Sequence, residues 1–317
     1  MSEHEMKQVF FSIVVPVYNV ELYIEKCIKS LLSQDFDAYE ILLINDGSTD
    51  SSLKICDKYA NGNEKIKLFN KENGGLSDAR NYGMREARGK YVLFIDSDDY
   101  IENNILRVLY DEICEKNYPD VVLYNYYLVE ETGRSARRSY VTATDELMKA
   151  DEVVLSELKC RNLPVAACFG AYKRELVIEN SLYFVKGILH EDERWSPQIL
   201  LKADEIYKSP TIFYNYVKHE NSITTKRDKT QNGIDLLETC EVLDKLTEAD
   251  CNSEIRFWFK NRIAMLYMKA VSMGRLYRVK KISRTLPFKY SCTSKDKVKS
   301  IIFMISARLY CWLDKIF

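Results

Sequence analysis

Asp96 and Asp98 stand one residue apart at the close of an apolar run, Tyr91 to Ile95. Two hard oxygen ligands at alternate positions after a buried strand suit Mg²⁺ or Mn²⁺ shared with the phosphates of a substrate. Acids there would equally cap the helix that follows. Company separates the two readings, because three further strand ends carry polar residues. One run closes on Pro16-Val17-Tyr18-Asn19, another on Asn45-Asp46-Gly47-Ser48, and a third is followed by Asn73-Gly74-Gly75. Asp46 is a carboxylate that could accept a hydrogen bond from the imide N–H of uracil, or close an Asx turn. Gly74-Gly75 permits close backbone approach, and Arg80 follows one helical turn into the next element. A second acidic site, Glu191-Asp192, opens a predicted helix, where first-turn acids are also favoured by the helix dipole.

These groups need a frame that brings strand ends together. FFSIVVPV, EILLI, KIKLF and KYVLFI are short continuous apolar runs, the pattern of strands buried on both faces of a parallel sheet. Between them the period changes to helical. Tyr23, Cys27 and Leu31 recur beside Ile24, Ile28 and Leu32; further helices are predicted over 49–60 and 76–87. Strand and helix alternating four times make a doubly wound α/β half, and such sheets bind ligands at the carboxyl ends of their strands. A helix over about 103–116, a long strand in DVVLYNYYLVE, a loop with helical pieces over 139–164, helices over 174–180 and 192–202 and the strand TIFYNYV complete the mixed part. From Thr230 onward the periodicity is wholly helical, with rows such as Leu236, Cys240 and Leu243.

SIVVPVYN, LINDGSTD, ENGGLSDARN and YVLFIDSDD together resemble, in order and spacing, the N-terminal half of family-2 glycosyltransferases with the GT-A fold. The resemblance is strong over about 9–110 and continues more faintly, through AYKRELV, HEDERW and YNYVKHENSIT, to about Thr225. It implies an α/β fold, Rossmann-like, with a mostly parallel sheet flanked by helices and a C-terminal helical extension. It implies a metal-dependent inverting transfer of a sugar from a nucleotide diphosphate, in bacterial surface polysaccharide assembly. Pro16, Tyr18, Asp46, Arg80, Asp96 and Asp98 would form the nucleotide-sugar site: Tyr18 stacks on the base, Asp46 contacts it, Asp96 holds the ribose side and Asp98 ligates Mn²⁺ or Mg²⁺. A Tyr18–Asp46 pairing favours UDP. Asp192, the second residue of its acidic pair, would be the catalytic base, since a single displacement at the anomeric carbon needs a base at the acceptor hydroxyl. Two departures stand out. Val217 and His219 replace positions often basic in the family, leaving His219, like Glu191, as a diphosphate or acceptor contact or simply a surface residue. Gly170 stands where a lysine is common. A sugar-nucleotide pyrophosphorylase would carry a glycine- and arginine-containing loop after the first strand, where this chain reads PVYNVELY; a catalytically dead scaffold would be expected to lose the acids at 46, 96, 98 and 192.

Composition sets the remaining bounds. The chain has 317 residues, 46% apolar and 29% charged, with net charge −1, enough for a substantial core. The charge is unevenly placed: residues 275–317 hold eleven Lys/Arg against two acids, and the preceding residues 35 against 45. Basic residues interleaved with Trp312, Phe303, Tyr310 and the run Ile301–Ile305 suit either contact with an anionic membrane or a helical subdomain with a solvated basic face. The acidic body and the absence of a recognised module argue against nucleic acid. Nine cysteines without a C-x-x-C pair read as buried thiols of a reducing compartment. The polar start MSEHEMKQ and the shortness of Ile301–Ile305 lead to the expectation of a cytoplasmic chain that does not cross a membrane. The expected division is a catalytic domain over 1–228 (nucleotide half about 9–110, acceptor half about 111–228) and a helical region over 229–317, with the break near Lys226–Lys229.

Overall fold

The structure is a computed structural model that describes residues 9–140, 145–219, 229–278 and 282–314. Residues 226–228 of the expected break, the start MSEHEMKQ, residues 220–225 of the last motif and Lys280, Lys281 and Lys315 of the basic tail lie outside the described residues. The chain gathers into two compact units. The first comprises Met1–Ala150, Ala166–Gly187 and Lys202–His219; the second comprises Asp151–Val165, Ile188–Leu201 and Glu220–Phe317.

The first unit begins with the expected alternation: β1 (Phe11–Val17), α1 (Ile24–Leu32), β2 (Tyr39–Asp46), α2 (Ser52–Ala60), β3 (Ile66–Lys71), α3 (Leu76–Glu86) and β4 (Tyr91–Phe94). β1 pairs in parallel with both β2 and β4, and β2 with β3. Every residue of β1, β2 and β4 is buried. Alternate side chains on one face (Phe11, Ile13, Val15; Ile41, Leu43; Tyr91, Leu93) share a core with Ile24, Cys27, Ile28 and Leu31 of α1. Each such side chain contributes roughly 1.5–3 kcal/mol on burial, so the sheet centre is the anchor of the fold. β3 differs from expectation. It is the sheet edge, and only Ile66 is buried there, because nothing pairs with its outer side among the described residues.

On the opposite face α3 lies close against β1. A methyl group added at Gly83 would run into Val14 Cγ1. Gly83→Ala is therefore expected to destabilise by about 1–3 kcal/mol despite alanine's better helix propensity. A fall in the urea midpoint checks this; an equal or higher midpoint would refute the tight contact.

The chain continues through β5 (Tyr100–Ile101), α4 (Ile105–Glu115), β6 (Val121–Glu130), β7 (Gly133–Arg137), β8 (Glu146–Lys149), α5 (Ala150–Lys159), β9 (Gly170–Lys173), α6 (Arg174–Glu179), α7 (Asp192–Lys202) and β10 (Glu205–Val217). The strand order is β3-β2-β1-β4-β9-β6-β10-β5. β1–β4 pair in parallel, as do β6 and β10, while β9 runs antiparallel between β4 and β6. β8, in the stretch expected as loop with helical pieces, pairs with β10. These short strands have no period of their own; their partners define them. Gly170 faces Tyr172, whose hydroxyl lies 2.7 Å from where a side chain would start, so a lysine there would require the tyrosine ring to move.

The second unit is built on α8 (Thr230–Asp250) and α9 (Ser253–Gly274), followed by α10 (Leu286–Tyr290), α11 (Ser294–Ile305) and α12 (Ala307–Leu313). Leu236, Cys240 and Leu243 are buried as their spacing predicts. The unit is larger than the C-terminal region alone, because polar contacts draw in earlier segments. Lys159 pairs with Glu254 at 2.7 Å, Arg161 with Asp296 at 2.8 Å, and Glu193 with Arg262. Of the tail aromatics read as suiting either a membrane or a packed subdomain, Phe303 and Tyr310 are 0% and 7% exposed and form core contacts, whereas Trp312 is 60% exposed. No helix among the described residues is long and apolar enough to cross a membrane. All nine cysteines are free thiols, six of them buried.

Candidate active site

Because β1, β2 and β4 are parallel and adjacent, their carboxyl ends share one edge of the first unit. Pro16 is buried in β1, and Tyr18 just beyond it is half exposed. Asn19 takes a left-handed backbone, φ 52°. It knits the β1 and β2 loops: its side-chain oxygen accepts from Thr49 N at 2.8 Å, and its own N–H donates to Ser48 Oγ at 3.2 Å.

Asp46 is only 2% exposed. Its carboxylate accepts from Gly74 N at 2.9 Å and Gly75 N at 2.8 Å, and also pairs with Lys71. In this structure it holds the Gly-Gly turn. Lys71 bridges on to Asp78 at 2.7 Å, which in turn meets Lys186. Lys186 first, then Lys71, holds the Asp78 carboxyl below its ordinary value. A side chain at Gly74 would collide with Asp78, and Gly75, at φ 85°, occupies the left-handed region. The turn thus requires both glycines.

Arg80 is 1% exposed. Its Nη2 donates to Asp96 Oδ1 at 2.9 Å, and its guanidinium lies 5.2 Å from the Phe184 ring centroid and 5.9 Å from that of Phe94. It is a buried strut for Asp96. Asn81, one residue on, fixes Phe184 by accepting from its N–H at 2.8 Å and donating to its carbonyl at 2.7 Å.

The residues after β4 meet the end of β10. The Tyr214 hydroxyl accepts from Asp96 N at 3.2 Å and donates to Asp99 Oδ2 at 2.6 Å; Val217 N donates to Asp99 Oδ1 at 2.7 Å. His219 Nε2 lies 2.8 Å from Asp98 Oδ2, and its ring stacks on Tyr23 with centroids 4.6 Å apart. His219 is therefore part of the acidic site. Burial, then the charge of Asp96, pushes the Asp98 carboxyl above its ordinary value, against the pull of His219. Burial, followed by Asp96 and Asp98, raises Asp99 further. Asp96 is paired with Arg80, Asp98 with His219, and Asp99 with Tyr214 and Val217, and among the described residues no three His, Cys, Asp or Glu side chains are arranged to hold a metal ion by themselves. Asp96 and Asp98 are hard oxygen donors that fit a divalent cation shared with the phosphates of a substrate.

Glu191 and Asp192 belong to the second unit. Asp192 is the first residue of α7, and the Glu191 carbonyl accepts from Trp195 N at 2.9 Å and Arg194 N at 3.1 Å. The third acid, Glu193, is committed to Arg262 and Lys269. Sequence reasoning missed Asp99, Tyr214, Tyr23 and Lys71. The run Asp96-Ser97-Asp98-Asp99 contained the signal for Asp99; Tyr214 and Lys71 matter through pairing that no local pattern displays.

This fold and site define a class, the GT-A glycosyltransferases. Residues 12–180 match the family model described as Glycosyl transferase family 2. The chain is 32% identical over 222 residues to glycosyltransferase GlyG of Streptococcus pneumoniae serotype 4, covering 67% of this chain and 72% of GlyG. It is 35% identical over 227 residues to the uncharacterized glycosyltransferase EpsJ of Bacillus subtilis, covering 67% of this chain but only 62% of EpsJ. Residues 1–349 of Staphylococcus aureus TarS, solved in complex with UDP-GlcNAc, share the fold at a TM-score of 0.67, with 24% identity, 95% of this chain and 83% of that one. The chain belongs to glycosyltransferase family 2.

Proposed function

We infer that this chain transfers a sugar from a nucleotide diphosphate, UDP favoured, to a glycan or lipid-linked acceptor in bacterial surface polysaccharide synthesis, working in the cytoplasm against the inner face of the cell membrane. The observation that carries the reading is the convergence of Asp96, Asp98 and Asp99 with His219 at the strand ends. The fold shared with a protein solved with UDP-GlcNAc supports a nucleotide-sugar donor.

Asp98, beside Asp96 and His219, would hold Mn²⁺ or Mg²⁺ together with the donor's phosphates, and the ion would neutralise charge on the departing diphosphate; Asp96 would hold the ribose side. Tyr18, half exposed just beyond β1, would stack on the base. Asp46 and Lys71 fix the Gly74-Gly75 turn, whose backbone allows close approach by a donor. Asp192 is proposed as the base: it takes the acceptor hydroxyl's proton as the new C–O bond forms opposite the breaking bond to the diphosphate, so configuration inverts once.

Incubation with a panel of UDP-, GDP- and dTDP-sugars plus Mn²⁺ tests this. Release of UDP with free or transferred sugar is expected. Formation of pyrophosphate, or no turnover of any donor, would overturn the reading.

A further inference from the structure

α11 is turned against the usual order of a surface helix. Its buried residues are Asp296, Ser300 and Phe303, while Val298, Ile301 and Ile305 are 58%, 38% and 68% exposed. The spacing i, i+3, i+7 puts these three on one face. Leu309 and Trp312 of α12 extend the set at 45% and 60% exposed. Five of the twelve large apolar side chains exposed among the described residues therefore fall within fifteen positions.

The orientation is fixed from inside. Asp296, fully buried, accepts from Arg161 Nη2 at 2.8 Å, Asn261 Nδ2 at 2.9 Å and Thr293 Oγ1 at 2.8 Å. Rotating α11 to hide its aliphatic side chains would break this set and strand a buried charge, which is costly. Phe303, Ala307, Tyr310 and Cys311 then hold the two helices to the unit on the other side.

Charge indicates what covers the outer face. From Ser294 to Leu313 the chain has Lys295, Lys297, Lys299 and Arg308 and a single acid, Asp296, which is neutralised inside. On the helical wheel Lys295 and Lys299 flank the aliphatic stripe on one side and Lys297, whose ammonium also donates to the Phe288 carbonyl at 2.8 Å, on the other. An apolar ridge between basic rows matches the interface of an anionic bilayer, with side chains among acyl chains and ammonium groups at the phosphates.

We propose that Val298, Ile301, Ile305, Leu309 and Trp312 insert into the surface of an anionic membrane, flanked by Lys295, Lys297, Lys299 and Arg308. This deepens the reading above, in which the enzyme works at a membrane, by assigning the surface that docks. The test is flotation of the full chain with phosphatidylglycerol-containing or purely phosphatidylcholine vesicles, alongside UDP affinity with Mn²⁺. Binding to anionic vesicles is expected, at least ~10-fold stronger than to neutral ones and weakened by high salt. Ile305→Ser with Trp312→Ser, both on exposed side chains, should lower it at least ~10-fold while UDP affinity is unchanged. Lys295→Ala with Lys299→Ala should remove part of the salt-sensitive binding. Wild-type protein that ignores anionic vesicles, apolar variants that bind as wild type, or a wild-type dimer that the same variants dissociate would overturn the proposal. Loss of UDP binding in the wild type would instead overturn the enzymatic reading.

Discussion

Asp98→Ala is expected to abolish cation-dependent binding of UDP, with affinity in Mn²⁺ falling by at least ~100-fold. Loss of an outer partner of a metal ligand already costs 10–100-fold, and Asp98 is proposed as a ligand itself. The side chain is partly enclosed and bonded to His219 alone among the described partners that set its position. Its removal relieves crowding among the three carboxyls, so the protein should remain folded, as circular dichroism can verify. Calorimetry with and without EDTA decides the matter. Equal UDP affinity in both variants, and in both conditions, would remove Asp98 from the cation site.

Asp192→Asn should lower turnover by ~10²-fold or more, the scale of general-base catalysis, with donor affinity near wild type. Asparagine retains the shape of the side chain at the start of α7, so a purely structural role predicts little change in rate. Measuring kcat and donor Kd on the same preparations separates the two. If Asp192→Asn transfers sugar normally, the base lies elsewhere, and Glu191→Gln becomes the informative variant.

The strands and helices that build the parallel half were legible because each buries a continuous apolar run or a clean helical row. β1, α1, β2, α3 and β4 needed no partner to be identified. β7, β8 and β9 were not legible, being short and defined by pairing with β6, β10 and β4. The acids of the candidate site were readable as residues, but not their bonds. Arg80 donates to Asp96, and Asp46 accepts from the turn it stabilises, bonds that no local pattern displays. Burial of a charged side chain depends on elements far along the chain: Phe184 over Arg80 is 104 positions away. In the tail, composition leaves membrane contact and a packed helical subdomain both open, and only packing distinguishes Trp312, which faces out, from Phe303, which does not.

β10 occupies a place between β6 and β5, although it follows both in the chain. During synthesis on the ribosome, β6 therefore emerges with a long edge whose permanent neighbour has yet to be made. That edge is Val121–Glu130, with its first five residues buried in the finished fold. Tyr214 and His219 arrive on the same late segment. The nascent first unit can thus collapse around β1, β2 and β4 early, while its acidic strand end stays without those partners until residue 219 has left the exit tunnel. An unpaired apolar edge over that interval is the state in which strands pair wrongly or aggregate, so the time between translation of residues 130 and 219 is the vulnerable stage in this protein's manufacture.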